Sequence, residues 1–329
     1  MDSSRAPMDK LRIIGPATES VYPFLDQWFN EKDYIVAHTS GSTGKPKEIR
    51  LLKSDMILSA QATCRIFGID RESTLALPLS TDYIAGKMMV VRTIVSGAKL
   101  WVCKPSNCLS SQPIPAVTSL MSVVPSQIPD LLENGYIKRI SKLLIGGAPL
   151  PSDLERQLID RNVKAFVSYG MTETCSHVAL RRIGQNFYSM LTDIGYDVDS
   201  RGCMVIRSDK FSFTPIVTND IVEPISPVTF KWLGRYDNVI NSGGVKISPE
   251  EIESELSNHL PFPFYISSRD SDRWGSEAIL VVERPCPMDD DEITAIIDSV
   301  IPKFKRPKDI IRLEKFRYTA NNKLIREKF

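Results

Sequence analysis

The stretch Thr39-Ser40-Gly41-Ser42-Thr43-Gly44-Lys45-Pro46-Lys47 decides how the rest of this sequence is interpreted. Its glycines allow backbone N–H groups to approach an anion closely, and its hydroxyl and ammonium groups add donors directed at the same point. This composition predicts a loop that holds the phosphates of a nucleotide. The spacing of a Walker A loop is absent, and Pro46 disfavours helical dihedrals at Lys45, so the loop should not run straight into a helix.

A flexible surface linker is the alternative interpretation of a segment so rich in Gly, Ser and Thr. Strand-like apolar runs flank the segment at 34–37 and 49–52, and the segment ends in two lysines. A linker would not usually combine these features. We therefore expect a phosphate-binding loop between two strands.

Composition limits the classes of protein and partner. The length of 329 residues predicts about two domains. A net charge of +1 gives no reason to expect a nucleic-acid or membrane partner. The six cysteines lack C-x-x-C spacing and the three histidines are dispersed, so neither a disulfide framework nor a metal cluster is indicated. Without a transmembrane-length apolar run or a signal-peptide core, we expect a cytoplasmic protein with reduced thiols.

Strands and helices alternate along the middle of the chain. The predicted strands are 75–77, 99–102, 119–124, 143–145 and 165–168, and the predicted helices are 54–67 (capped by Ser54), 84–96, 125–134 and 152–160. This alternation argues for a mostly parallel sheet covered by helices. From residue 192 to 232 short β-like pieces follow, and a second α/β pattern occupies the C-terminal part.

We therefore predict an α/β fold with two domains. Residues 1–235 would form a large domain with a mostly parallel, helix-covered sheet and a β subdomain. Residues 236–329 would form a small, mobile C-terminal α/β lid. Within it, Ser248, Pro249 and Glu251 predict a helix that starts with a capping box.

Two polar motifs follow strands of the predicted sheet, where ligand sites of open α/β sheets lie. Gly147-Ala148-Pro149 follows one strand, and Tyr169-Gly170-Met171-Thr172-Glu173-Thr174 follows another. Each alone could be an ordinary turn between a strand and a helix. Their presence together with the phosphate loop favours a nucleotide site.

The loop and these motifs, in this order, resemble the adenylate-forming superfamily of acyl-CoA synthetases, luciferases and peptide-synthetase adenylation domains. The resemblance extends from about His38 to the C-terminus. It implies ATP and Mg²⁺ as cofactors and activation of a carboxylic acid as an acyl-adenylate, with pyrophosphate released. For the acyl-CoA synthetases it also implies CoA as a substrate.

The resemblance implies roles for individual residues. The positions of the loop (Thr39, Ser40, Gly41, Ser42, Thr43, Gly44 and Lys45, with Lys47 as a catalytic cation) would hold phosphates. Gly147, Ala148 and Pro149 would line the adenine, Tyr169 would stack on it, and Gly170 and Met171 belong to the same segment. Thr172 would contact the α-phosphate and Glu173 would help to hold Mg²⁺. A carboxylate beside a triphosphate is tolerable only with a divalent cation between them.

Further motifs of the superfamily follow in the C-terminal half. Asp220 resembles the ribose-binding aspartate, although a lone Asp after a strand is usually a turn residue. The superfamily usually has Gly before this Asp, where this chain has Asn219. Arg235 resembles a ribose or phosphate contact, and Asp237 resembles the pivot of the hinge between the two domains.

Two features of the lid complete the set. Gly243 and Gly244 lack side chains and would leave room for a narrow tunnel to the acyl group. Lys323 resembles the catalytic lysine near the C-terminus, although Asn322 replaces the usual Gly. By the residues alone, Lys323 is one more exposed lysine.

Within the superfamily, the segments 121–128 and 172–177 are most similar to the o-succinylbenzoate–CoA ligases of menaquinone biosynthesis. An aromatic dicarboxylate needs hydrogen-bond donors for its second carboxylate. Candidate acyl contacts are Ser126, Gln127, Ser176 and His177, with Tyr83 as a steric gate. The implied partners are thus a small aromatic carboxylate, ATP and CoA.

Three alternatives stay open at this point. The chain could be a ligase for another acid, an adenylation module that transfers to the phosphopantetheine of a carrier protein, or a nucleotide-binding relic without catalysis. Only 38 residues precede the loop, fewer than in the superfamily. We therefore expect an acyl pocket that is more open or that a second subunit of a homo-oligomer completes.

Overall fold

The computed structural model describes residues 11–38, 47–318 and 324–329. The chain divides into two compact units. The first comprises residues up to 150 together with 154–195 and 207–215, and the second comprises 151–153, 196–206 and 216–329. The predicted domain boundary at residue 235 stays a prediction. No helix in the described ranges has the length and apolarity needed to cross a membrane.

The first unit contains ten strands and five α-helices among its described residues. The strands are β1 (Arg12–Ile14), β2 (Tyr34–His38), β3 (Glu48–Leu52), β4 (Thr74–Leu77), β5 (Lys99–Val102), β6 (Leu120–Val123), β7 (Leu143–Ile145), β8 (Ala165–Gly170), β9 (His177–Arg182) and β10 (Tyr188–Met190). The helices are α1 (Tyr22–Phe29), α2 (Lys53–Phe67), α3 (Ile84–Ser96), α4 (Ile128–Glu133) and α5 (Ser152–Asp160).

The main sheet of this unit is mostly parallel. Its strand order is β1-β5-β4-β6-β7-β8-β9-β10. The strands from β1 to β8 in this order pair in parallel, and β9 and β10 continue the sheet antiparallel. Parallel strands need helical crossovers, which accounts for the alternation of strands and helices in the sequence. The predicted fold class is confirmed.

Strands β2 and β3 form a separate antiparallel ribbon. Their register pairs His38 with Glu48 and continues to Tyr34 opposite Leu52. The ribbon confirms the two strands predicted on either side of the phosphate loop. It brings the two described ends of that segment next to each other.

The helices on either side of β4 end as predicted, but one begins differently. Gly97 and Gly68 follow α3 and α2 with φ of 69° and 60°, a left-handed backbone that glycine adopts without penalty. The predicted cap at Ser54 is wrong, because α2 already begins at Lys53 and its N-cap residue is Leu52. Lys53 continues directly from β3, so Ser54 lies inside the first turn.

The second unit contains an antiparallel sheet followed by an α/β part. Strands β11 (Gly195–Val198), β12 (Cys203–Arg207), β13 (Ile216–Ser226) and β14 (Thr229–Arg235) form the antiparallel sheet in the order β14-β13-β12-β11. The α/β part contains β15 (Ile240–Ser242), β16 (Val245–Ile247), α6 (Pro249–Leu256), β17 (Phe264–Ser271), β18 (Gly275–Glu283), α7 (Asp290–Val300) and β19 (Ile310–Leu313).

The α/β part has its own hydrophobic core. Its sheet has the order β16-β15-β18-β17, and β19 pairs in parallel with β18. Ile252 and Leu256 of α6 and Ile293 and Ile297 of α7 are buried in one cluster with residues of this sheet. The predicted strand and helix pattern of the lid is therefore confirmed.

The predicted capping box at the start of α6 is wrong. Ser248 is the N-cap residue and Pro249 the first helical residue, as expected. However, the Ser248 hydroxyl donates to the backbone carbonyl of Leu233 over 2.9 Å and makes no cap hydrogen bond. The hydroxyl thus ties the start of α6 to β14.

Candidate active site

Two of the predicted nucleotide motifs lie at the same edge of the first unit's sheet. Gly147-Ala148-Pro149 comes directly after Gly146, which follows β7, and Tyr169 and Gly170 are the last residues of β8. Since β7 and β8 are neighbouring parallel strands, their carboxyl ends meet there. The Tyr169 ring lies 5.9 Å from the ring of Tyr188, edge to face. Such an edge is where open α/β sheets bind ligands.

A tight turn follows β8 and presents Thr172 and Glu173. The segment Thr172–Thr174 is a single 3₁₀ turn in which the Thr174 hydroxyl accepts from the Met171 N–H (3.0 Å) and donates to the Ser176 carbonyl (2.6 Å). Gly170 is required here, because a Cβ would lie 2.3 Å from the Ser176 carbonyl oxygen. Thr172 and Glu173 are half-buried on this fixed turn.

A buried arginine that the sequence analysis missed lies beside this turn. Arg92 in α3 is only 1% exposed. Its Nη2 donates to the Ser176 hydroxyl over 2.9 Å, and its Nε has no hydrogen-bond partner. In the described part of the chain, Arg92 forms no ion pair with a carboxylate. Burial lowers the pKa of Arg92 to about 10, so the side chain still carries its charge at neutral pH.

A chain of hydrogen bonds connects Arg92 to His177. The Ser176 hydroxyl lies 3.2 Å from His177 Nδ1, and the Thr63 hydroxyl lies 3.3 Å from Nε2. The Thr63 hydroxyl also lies 3.0 Å from the Ser59 carbonyl, which can only accept, so we assign the proton of the neutral ring to Nε2. Nδ1 then accepts from Ser176. Burial, and next the charge of Arg92, lower the pKa of His177 well below its usual value.

The neutral state of His177 predicts how stability depends on pH. The pKa in the unfolded chain is about 6.5, above that of the folded state, so below this pH the unfolded chain binds a proton that the folded protein does not. We expect the free energy of unfolding to fall between pH 6.5 and 5, with a contribution approaching about 1.4 kcal/mol per pH unit. Urea titrations at several pH values give the free energy of unfolding of wild type and His177→Gln. As the pH falls, this free energy should decrease less steeply for the variant. The exposed His259→Gln variant is the control, and equal slopes for His177→Gln and wild type would contradict the assignment.

In the second unit, the predicted ribose and hinge residues lie close together. Asp220 is buried inside β13, not after a strand as expected, and it accepts from the Trp232 indole N–H (3.2 Å). Asp220 and Arg235 are cross-strand partners whose charged groups are 3.9 Å apart. Arg235 also forms a 2.9 Å ion pair with Asp237. The arrangement holds a carboxylate and a guanidinium side by side. Their predicted contacts with the ribose and its phosphate stay a prediction.

Comparison with known proteins identifies the family. The model of the AMP-binding enzyme family matches residues 8–205, more than half of the chain. The chain belongs to the AMP-binding enzyme family. A solved acyl-CoA synthetase (AMP-forming)/AMP-acid ligase II-like protein from Dyadobacter fermentans is 31% identical, with a TM-score of 0.65 and coverage of 98% of this chain and 96% of that one.

Curated and solved relatives of this AMP-binding enzyme include ligases for one acid. The 2-succinylbenzoate–CoA ligase of Oceanobacillus iheyensis is 24% identical over 342 aligned positions, which cover 93% of this chain and 71% of the relative. The o-succinylbenzoate coenzyme A synthetase of Bacillus subtilis, solved with ATP and magnesium ion, has a TM-score of 0.76 at 22% identity. The superposition covers 88% of this chain and 68% of the Bacillus subtilis chain, and this similarity supports the fold.

In this AMP-binding enzyme, the side chain of Gln127, a predicted acyl contact, is already hydrogen-bonded to backbone groups. Gln127 Nε2 donates to the carbonyls of Pro78 (3.1 Å) and Ser106 (2.9 Å), and its Oε1 accepts from the Val124 N–H (3.1 Å). Gln127 therefore has no donor left for a substrate. Ser126 is exposed and donates to Asn107, and Tyr83 is 44% exposed at the start of α3.

The structure describes the two glycines of the second unit that were predicted to leave room for a tunnel. Gly243 has φ of 57°, and a Cβ there would lie 2.5 Å from the Trp274 ring. Gly244 has φ of 84°, and a Cβ there would meet no described atom within 4 Å. Only glycine fits at Gly243, whereas Gly244 has space for a side chain at a cost in backbone strain. Their predicted part in a tunnel stays a prediction.

Two predicted parts of the site fall outside the described residues. These are the phosphate loop from Thr39 to Pro46 and the catalytic Lys323. Exposed Lys47 immediately precedes β3. Beyond Lys323, Leu324 bridges to Tyr318, and the Arg326 guanidinium forms a half-buried, bidentate ion pair with Glu253 of α6. Arg326 thus ties the chain just after Lys323 to α6 of the α/β part.

The residues present fit a magnesium ion that is bound mainly through nucleotide phosphates. No group of three or more His, Cys, Asp or Glu side chains that could hold a metal occurs among the described residues. Mg²⁺ typically uses one or two carboxylates together with substrate phosphates and water. Half-buried Glu173, on its fixed turn, can supply one such carboxylate.

Proposed function

We propose that this AMP-binding enzyme is an ATP-dependent acid–CoA ligase and that its acid is o-succinylbenzoate. The family membership and the names of the curated relatives support the ligase reaction. The acid's carboxylate would attack the α-phosphate of ATP, which forms an acyl-adenylate and releases pyrophosphate. The thiol of CoA would then attack the acyl carbon, which forms the thioester and releases AMP.

The single observation that carries the choice of acid is the buried, unpaired charge of Arg92. A guanidinium buried without a counter-ion is costly, and an anionic substrate would offset this cost. Arg92 donates to Ser176, which is half-buried and lies four residues after Thr172. An acid with a second carboxylate would place it against Ser176, with Arg92 supplying the opposite charge. A monocarboxylic acid would leave Arg92 without this partner.

The other residues would position the nucleotide. Tyr169 and the segment 147–149 would bind the adenine, and Asp220 and Arg235 would bind the ribose and its phosphate. Thr172 would donate to the α-phosphate, where charge builds up as pyrophosphate leaves. Mg²⁺ held by Glu173 and the phosphates would neutralise the charge of the triphosphate when bound. In the free enzyme, neutral His177 would hold Ser176 by accepting its hydrogen. When the acid binds, the hydroxyl would turn this hydrogen from His177 to the second carboxylate.

The second candidate function is an adenylation module that serves a carrier protein. The first half-reaction would be the same, and the acceptor thiol would be a protein-bound phosphopantetheine. This alternative predicts activity with a holo carrier protein and little with free CoA. The match to CoA ligases along most of the chain favours the first candidate.

The proposal is tested by measuring pyrophosphate release and thioester formation with a panel of acids. We expect o-succinylbenzoate to give the highest kcat/KM, and the product to require ATP, Mg²⁺ and CoA. The panel includes acetate, a long-chain fatty acid and 4-oxo-4-phenylbutanoate, which resembles o-succinylbenzoate but lacks the carboxylate on the ring. A preference for acetate or the fatty acid would refute the choice of acid, and thioester formed only on a carrier protein would refute CoA as the acceptor.

The same panel with Arg92→Met tests the observation behind the proposal. The variant should raise KM for o-succinylbenzoate by about 30-fold or more, as expected when one partner of a buried charge pair is removed. It should change KM for 4-oxo-4-phenylbutanoate far less, because that acid has no second carboxylate to lose. Equal changes for the two acids would indicate a structural role for Arg92. Circular dichroism checks that the variant is folded.

A further inference from the structure

Asn219 lies at the centre of a polar network around the predicted hinge residue. Its Nδ2 donates to both carboxylate oxygens of Asp237, over 3.1 Å each. Its Oδ1 accepts from Nη1 of Arg201 over 3.0 Å. Asn219 belongs to β13, whereas Asp237 lies in the turn after β14. The carboxamide therefore connects two segments that are 18 residues apart in the chain.

The two sides of this network fix the orientation of the carboxamide. Arg201 offers only donors and Asp237 only acceptors, so the oxygen of Asn219 must face Arg201 and the nitrogen must face Asp237. Arg201 is itself held by an ion pair to Asp199 (2.8 Å) and by a hydrogen bond to the Thr218 carbonyl (3.1 Å). Asn219 therefore meets Asp237 in a preset geometry.

A second set of contacts holds the residues around Asp237. Arg235 donates to the Asp237 carboxylate over 2.9 Å, and the Arg201 guanidinium lies 5.3 Å above the ring of Tyr236. Together with Asn219, these contacts restrain three consecutive residues, 235–237, where β14 leads into the turn. Hydrogen bonds to Arg235 and Asn219 keep the pKa of Asp237 below its usual range, so the acceptor stays ionised at neutral pH.

We propose that Asn219 is a positioning residue that controls the movement of the lid through its two hydrogen bonds to the Asp237 carboxylate. These two hydrogen bonds are called the clasp below. Glycine, which the superfamily usually has at this position, cannot form such a clasp. A rotation of the backbone at Asp237 must break or strain the two hydrogen bonds from Asn219. The clasp would thus stabilise the present geometry of the turn relative to one in which the backbone at Asp237 has rotated. Its effect on catalysis rests on the proposed function, whereas the clasp itself does not.

Limited proteolysis tests the clasp without any need for activity. Trypsin cleaves after arginine, and cleavage after Arg235 requires the turn at Tyr236–Asn238 to open. Removing the carboxamide by Asn219→Ala should accelerate cleavage at this bond by about fivefold, since hydrogen bonds to a charged acceptor are lost. Mass spectrometry identifies the fragment that ends at Arg235. The control is Asn258→Ala, an exposed asparagine of the same unit.

A double-mutant cycle separates the clasp from a general loss of stability. If Asn219 acts through Asp237, Asn219→Ala should add little to the cleavage rate of Asp237→Ala. An unchanged rate in Asn219→Ala, or full additivity in the double variant, would overturn the clasp. Asn219→Asp provides a second check, because its carboxylate would repel Asp237 and should accelerate cleavage at least as much as Asn219→Ala.

The half-reactions test the control of the lid. Pyrophosphate release reports adenylation, and conversion of supplied acyl-adenylate with CoA reports thioester formation. We expect Asn219→Ala to change the ratio of these two rates by about threefold or more, because one orientation of the lid loses its clasp. Faster cleavage with an unchanged ratio would overturn the control of catalysis. Absence of both activities in wild type would instead refute the proposed function. The proteolysis result would then still show whether Asn219 restrains the turn at Asp237.

Discussion

Glu173→Gln is expected to reduce acid-dependent pyrophosphate release by about 10²–10³-fold, the size of one electrostatic contact in a transition state. The substitution removes a charge and almost no volume. Glu173 lies half-buried on the 3₁₀ turn Thr172–Thr174, whose shape is set by Thr174 and Gly170 and not by the Glu173 side chain. The turn should therefore persist in the variant, and the loss should report the missing carboxylate.

A magnesium titration identifies what the carboxylate does. If Glu173 helps to hold the ion, the variant should need a higher Mg²⁺ concentration for half-maximal rate, as well as having a lower maximum. Glu133→Gln is the matched control, because Glu133 is an exposed glutamate of the same unit at the end of α4. A near-wild-type rate of Glu173→Gln at saturating Mg²⁺ would rule out the metal role.

The sequence predicted those parts of the fold that depend on local signals. The bounds of α3, β5, β7 and α5 agree with the structure. In α3 an apolar run ends at a glycine that adopts a left-handed backbone, and both signals lie within the helix and its next residue. Such local signals determine where an element begins and ends whenever no distant partner competes.

Hydroxyl caps were predicted less well because a hydroxyl can choose a distant partner. Ser248 lies at the start of α6 as expected, yet its hydroxyl donates to Leu233, 15 residues earlier. Likewise, Asp220 was expected after a strand but lies within the 11-residue strand β13. In both cases contacts with β14 decide the structure: Ser248 bonds to Leu233 of β14, and β13 pairs with β14. No short sequence pattern predicts these contacts.

The candidate site shows the same limit more clearly. Arg92 is one of two charged residues, with Lys87, in an otherwise apolar helix. This signal was available, but the partner Ser176 is 84 residues away. Gln127 looked like a substrate contact because it is polar and follows a strand. Its side chain instead hydrogen-bonds to the backbone of Val124 in its own turn and to two distant segments, at Pro78 and Ser106. Residue type indicates which chemistry is available, whereas burial and partners decide whether it is free to act.

Lys323→Ala is expected to lower acyl-adenylate formation by about 10²–10³-fold, because it removes the cation predicted to neutralise charge as pyrophosphate leaves. The same variant should still convert supplied acyl-adenylate and CoA to thioester. The reason is that the two half-reactions would use different faces of the lid, with Lys323 on one and Gly244 on the other. Pyrophosphate release measures the first step, and chromatography of the thioester measures the second.

Gly244→Leu should show the opposite defect: normal pyrophosphate release and a stalled thioester step. There is space around Gly244, but its φ of 84° means that any side chain brings strain. Gly244→Ala shares this strain without the bulk, so it should keep the thioester step if the leucine acts by blocking the path of CoA. Exposed Lys315→Ala is the control for Lys323→Ala. Equal damage to both half-reactions in Lys323→Ala and Gly244→Leu would show that the lid does not alternate between two faces, since each variant would then disturb a single shared geometry.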